Sequence, residues 1–164
     1  MEWARATEGD RATEGDRATA RDPATEGDRA LVKPGGGSVR ILVCDDTAQI
    51  RQLIRVNLEL EGYEVVEAAD GQEALGILAD PTQPLPDVIT VDALMPRRDG
   101  WWTVSMIHSD PRLEHIHIIM VTASVQSHHS AQAEQAEVDA FVAKPFDPDE
   151  LLALIAVLAM GGRV

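Results

Sequence analysis

The sequence predicts an α/β fold, a doubly wound five-stranded parallel sheet with five helices. Three observations predict it. Short apolar runs alternate with segments of helical period, the runs lack the apolar–polar alternation of half-exposed strands, and each ends in a polar residue. Repetition of this unit implies right-handed crossovers and helices on both faces of the sheet.

The elements follow in order. Val39 to Cys44 is an apolar run of the kind buried on both faces of a parallel sheet, and is the first strand. A helix from about Ala48 carries Ile50, Leu53, Ile54 and Leu58 at helical spacing and stops at Gly62. Tyr63 to Val66 is the second strand. Asp70 with Glu73 makes a capping box for a helix that ends before Pro81. Asp87 to Val91 is the third strand, and Trp101 to His108 a helix closed by Pro111. Ile116 to Val121 is the fourth strand, followed by a polar helix over about Gln126–Glu137. A short strand, Ala140–Ala143, and a helix from about Pro148 to Met160 complete the set.

Composition bounds the function. A chain of 164 residues, 45% hydrophobic, buries one core, so one globular domain is expected at 39–160, with 1–38 as tail and linker and 161–164 as a short end. With 14 Lys and Arg against 28 Asp and Glu the net charge is -14, which repels a phosphate backbone and argues against nucleic acid as a partner. Cys44 is the single cysteine, so neither an internal disulfide nor a cysteine zinc site is available, and a cytoplasmic location is expected. The apolar stretch Leu151–Met160 is about half of what a bilayer-spanning helix needs, and no basic start with an apolar segment marks a secretory signal. No membrane contact is expected.

In the tail, Arg-Ala-Thr-Glu-Gly-Asp at Arg5 repeats at Arg11, degenerates through Arg17 to Pro23 and returns at Ala24–Asp28. Almost no large apolar side chain is present to offset the entropy of ordering, so disorder is expected. Lys33 to Ser38 reads as a flexible linker; a tail without a role, or a true start near Val39, is favoured over a spacer or partner-binding arm.

Ligands in doubly wound sheets bind at the carboxyl ends of the strands. There the sequence places Asp45 and Asp46 after the first strand, Asp92 after the third, Thr122 after the fourth and Lys144 after the fifth. Three carboxylates repel one another, and a divalent cation is the usual relief; oxygen ligands favour Mg²⁺. An aspartate can then accept a phosphoryl group as an acyl phosphate, provided metal, lysine and hydroxyl or backbone donors neutralise the equatorial oxygens.

Asp45-Asp46, Asp92-Ala93-Leu94-Met95-Pro96 with Asp99-Gly100, Thr122-Ala123 and Lys144-Pro145-Phe146 together resemble the response-regulator receiver family of two-component systems, from about Arg40 to Leu158. The resemblance implies a flavodoxin-like receiver fold of the stand-alone type, phosphorylated on Asp92 by a sensor histidine kinase or phosphotransfer protein. It implies Mg²⁺ bound by Asp46, Asp92 and the Leu94 main-chain carbonyl, with Asp45 acting largely through water. Lys144 and Thr122 would contact the phosphoryl group, and Thr122 and Phe141 would form the switch. The protein would be no enzyme beyond slow self-dephosphorylation. Two positions depart from the family's pattern: Arg98 stands where an apolar residue is common, and Glu137-Val138-Asp139 where a helix-ending glycine is.

A haloacid-dehalogenase-like phosphatase also joins an aspartyl nucleophile to Mg²⁺, but would carry a second aspartate where Leu94 stands. A phosphorylation-independent adaptor is the third class, and the intact cleft argues against it. His115 and His117 are expected on one face of a strand and His128-His129 on a polar helix, without a third ligand to make a metal site. Of Trp101 and Trp102, one is expected to pack inward. No output motif follows Met160, so output is expected through an unidentified protein partner. The apolar last helix makes the face of the last strand and helix a docking surface for that partner or for a homodimer.

Overall fold

The computed structural model describes residues 32–33, 36–123 and 137–162. The sheet is built from β1 (Arg40–Cys44), β2 (Glu64–Ala68), β3 (Val88–Asp92), β4 (His117–Thr122) and β5 (Ala140–Ala143), in the spatial order β2-β1-β3-β4-β5. All four pairings are parallel. The described helices are α1 (Ala48–Leu60), α2 (Gly71–Ala79), α3 (Gly100–His108) and α4 (Pro148–Ala159). The predicted helix over Gln126–Glu137, the histidines within it and the tail repeats lie outside the described residues. Glu137 itself is described, and its left-handed φ of 56° is not helical.

The unbroken apolar character of β1 follows from its position inside the sheet. Ile41 and Val43 point into a core shared with Ile54 and Leu58 of α1 and Leu151, Ile155 and Leu158 of α4. Leu42 and Cys44 point the other way, against Ala74 and Leu78 of α2 and Val104 and Ile107 of α3. Each fully buried Leu or Ile contributes about 1.5–3 kcal/mol, so two such cores carry the fold. Leu53, expected on the buried stripe of α1, is instead 45% exposed, because the face of α1 turned to the sheet is made by Ile50, Ile54 and Leu58.

Several boundaries move for local reasons. Tyr63 is buried but donates its amide to the Leu58 carbonyl at 3.1 Å, closing α1 instead of joining β2, which starts at Glu64. α3 begins at Gly100, one residue early, because the Asp99 side chain accepts from the Trp102 amide. Pro111 opens a 3₁₀ turn, Pro111–Leu113. β4 starts at His117, so His115 lies before the strand and shares no strand face with it. Two of the residues read as a linker make contacts: Ser38 bridges Val32, and the Lys33 ammonium pairs with Asp87 at 3.2 Å. Among the described residues no helix is long and apolar enough to cross a membrane.

Candidate functional site

In this sheet the chain leaves β1 to pair with β2 on one side and returns to β3 on the other, so the order reverses between β1 and β3. The crevice at such a switch point is where ligands bind. Asp45 and Asp46 follow β1, and Asp92 is the last residue of β3. One carboxylate oxygen of each lies within 4.8 Å of the others. Asp45 and Asp92 are buried and Asp46 is exposed.

Lys144, just past β5, reaches across two strands into this group. Its ammonium donates to Asp45 Oδ2 at 2.7 Å and to Asp92 Oδ2 at 2.9 Å. Its backbone amide donates a hydrogen bond to the Thr122 carbonyl at 2.8 Å, and the Lys144–Pro145 peptide is cis. Burial works against the charged ammonium, but the two carboxylates outweigh it and raise the Lys144 pKa above its ordinary value. Burial pushes the Asp92 carboxyl up, against the opposing pull of Lys144 and of the Leu94 amide, which donates to Asp92 Oδ1 at 3.2 Å. The negative field extends beneath the crevice. Burial, then Asp70, Asp45, Glu73 and Asp92, push the Cys44 thiol up to about 12, so it remains a thiol and donates to Met95 Sδ at 3.6 Å.

Thr122, fully buried, ends β4 beside Asp92, since Asp92 is in register with Val121. Phe141 sits in β5, half-buried, its ring centroid 6.3 Å from that of Trp101. Leu94 lies in the loop leaving Asp92 with its side chain 62% exposed. Trp101 packs against the α2–α3 core, while Trp102 is covered by Arg98, whose guanidinium lies 4.7 Å from the ring centroid. A cation over an indole accounts for a charged residue where an apolar one was expected.

The three carboxylates offer an all-oxygen ligand set, which suits a small hard cation. Sequence reasoning did not find the groups that hold this crevice in place. Arg51 of α1 donates to the Asp45 carbonyl at 2.7 Å and to Glu67 at 3.1 Å, fixing the turn after β1. In the loop after β3, Arg97 adopts a left-handed φ of 66° and donates from two nitrogens to Asp70, the N-cap of α2. Gly71 donates its amide to the Arg98 carbonyl at 3.2 Å, and a Cβ there would lie 2.8 Å from that oxygen and 2.0 Å from Thr103 Oγ1. Gly100 closes the loop with a bond to the Ala93 carbonyl, and its Cβ would lie 2.3 Å from the Asp92 carbonyl oxygen.

The chain is 34% identical over 119 residues to the DNA-binding dual master transcriptional regulator RpaA of Synechocystis, which covers 73% of this chain and 48% of that one. It thus spans about half the length of the curated relatives it matches. Among solved structures, the chemotaxis response regulator CheY4 of Vibrio cholerae superposes with a TM-score of 0.66 at 29% identity, covering 73% of this chain and 98% of that one. The response regulator TrrA of Thermotoga maritima, solved in complex with Mg²⁺ and BeF, superposes with a TM-score of 0.63 at 32% identity, covering 73% and 98%. The model of the response regulator receiver domain matches residues 41–156, so a parallel sheet with its acidic crevice at the β1–β3 switch point identifies this chain as a member of the response regulator receiver family.

Proposed function

We infer that the domain accepts a phosphoryl group on Asp92 from the phosphohistidine of a sensor histidine kinase or a phosphotransfer protein. The observation that carries this reading is the Lys144 ammonium bridging Asp45 and Asp92 beside Asp46. Asp46, Asp92 and the Leu94 carbonyl would hold Mg²⁺, with Asp45 acting through water; the TrrA complex supports the metal. When bound, the ion neutralises charge on the phosphoryl oxygens.

An Asp92 oxygen attacks phosphorus, the bond from phosphorus to the donor imidazole nitrogen breaks, and the pair of electrons stays on that nitrogen. Lys144 keeps its proton and pairs with a phosphoryl oxygen, and the Thr122 hydroxyl donates to another. Movement of Thr122 opens space that Phe141 fills, so that a local charge change alters the β4–β5 surface. Output then passes by protein–protein contact in a stand-alone, cytoplasmic arrangement centred on the receiver unit of residues 39–160.

Mass measurement after incubation with acetyl phosphate and Mg²⁺ tests the reading. One added phosphoryl group is expected on the wild type and none on Asp92→Asn. Equal labelling of that variant overturns the assignment.

A further inference from the structure

A second feature lies away from the acidic crevice, along α4. An apolar trough of about 400 Å³ runs between α4 and the residues that enter β1 and β2. Val39, Tyr63, Leu152, Ala156 and Met160 line it. On α4 and its C-cap Met160 the lining residues recur at 149, 152, 153, 156, 159 and 160, one continuous helical stripe. At 1.5 Å per residue the stripe is about 16 Å long, three helical turns. Small side chains at Ala153, Ala156 and Ala159 lower its floor, so that a second helix axis can approach closely.

The two charged residues lining the trough are both acidic, Asp149 and Glu61, and no described residue forms an ion pair with either. α1 and α4 each follow a strand of one parallel sheet and so run the same way. Asp149, in the first turn of α4, and Glu61, just past the end of α1, therefore mark opposite ends of the trough. Lys33, which lines the adjoining hollow with Met160, is already paired with Asp87. Leu60 and Met160 at the lower end are 73% and 56% exposed, so the apolar surface continues beyond the trough.

We propose that this trough docks an amphipathic helix of about three turns from a partner protein, apolar along one face and carrying Lys or Arg at both ends. An apolar floor takes anchors at helical spacing, and the two carboxylates select the charge of the ends. A second copy of this chain would bring Asp149, Glu61 and a net charge of -14 against the same signs, which repel. The trough contains none of the groups assigned to phosphoryl transfer, so docking there and phosphorylation are separable.

The test uses the full chain and a fluorescent Leu/Ala peptide of about 14 residues with Lys at both ends, followed by anisotropy, with a Glu-ended peptide as control. The Lys-ended peptide is expected to bind at least about tenfold more tightly than the Glu-ended one. Ala156→Glu should weaken it about tenfold, and Glu61→Lys about threefold to tenfold, with thermal melting and acetyl-phosphate labelling unchanged. Glu114→Lys, an equal charge change beside the α2–α3 core, should alter binding less than about twofold. Equal weakening by Glu114→Lys would mean non-specific attraction to an acidic protein and overturn the proposal. Absence of binding overturns it, and so does a dimer, seen by sedimentation, that Ala156→Glu dissolves. Loss of labelling on Asp92→Asn with peptide binding intact separates this site from the phosphorylation reading.

Discussion

Asp70 links the loop after β3 to the rest of the domain, and its removal is measurable in two steps. Its Oδ1 accepts from the Glu73 amide at 2.8 Å, capping α2, while Oδ2 takes both Arg97 donors. The Glu73 amide, opposed by burial and reinforced by Arg97, holds the carboxyl below its ordinary pKa. Asp70→Asn keeps a good cap and loses only the charge; the Arg97 side chain is 68% exposed, so screening limits that loss to about 0.5 kcal/mol. Asp70→Ala also loses the cap, about 1 kcal/mol, for a total of about 1.5 kcal/mol. At about 4 °C per kcal/mol the melting midpoint falls by about 2 °C for Asn and about 6 °C for Ala.

A depressed carboxyl pKa contributes stability that is complete above the unfolded value, about 3.9, and is lost as pH falls through the folded value. The gap between wild type and Asp70→Asn should therefore be constant from about pH 7 to about pH 5 and close below about pH 4. Circular-dichroism melts across that range are the assay. Wild-type melting for Asp70→Ala at neutral pH, or a gap for Asp70→Asn that persists undiminished at the lowest pH, would refute the tether.

Three further outcomes follow from particular contacts. Gly100→Ala pushes a Cβ to 2.3 Å from the Asp92 carbonyl oxygen, so α3 must shift; denaturant unfolding should show a loss of about 2 kcal/mol or more, with weaker acetyl-phosphate labelling. Glu137→Gly removes a left-handed non-glycine residue that costs about 1 kcal/mol, and after the extra freedom glycine gives the unfolded chain it should raise stability by a few tenths of a kcal/mol in the same assay. Leu94→Asn, at a side chain 62% exposed, should change stability by less than about 0.5 kcal/mol yet shorten the phosphoryl lifetime severalfold, followed by phosphate release.

The strands were legible because residues buried on both sides leave no polar alternation, as Ile41 and Val43 in one core and Leu42 and Cys44 in the other make plain. Their ends were less so. Tyr63 is apolar and adjacent to β2, and only its amide bond to Leu58 separates it from the strand. The positions of Asp45, Asp92, Thr122 and Lys144 could be read because each follows an apolar run at a strand's carboxyl end. Arg51 and Arg97 could not. Arginines carry no periodic signal on a surface, and a left-handed backbone at Arg97 or Glu137 opposes the residue's own preference, so tertiary contacts alone select it. A glycine at either position would have announced the turn.

The shared ammonium of Lys144 has a consequence for how the crevice can change state. A cation held by one buried carboxylate is stranded when that partner is modified, and the rearrangement carries a large desolvation cost. Lys144 has two partners on different strands, Asp45 past β1 and Asp92 at the end of β3. On the proposed reading, phosphorylation of Asp92 would leave the ammonium moored to Asp45, and the transition would be an exchange of one oxygen for another around that nitrogen.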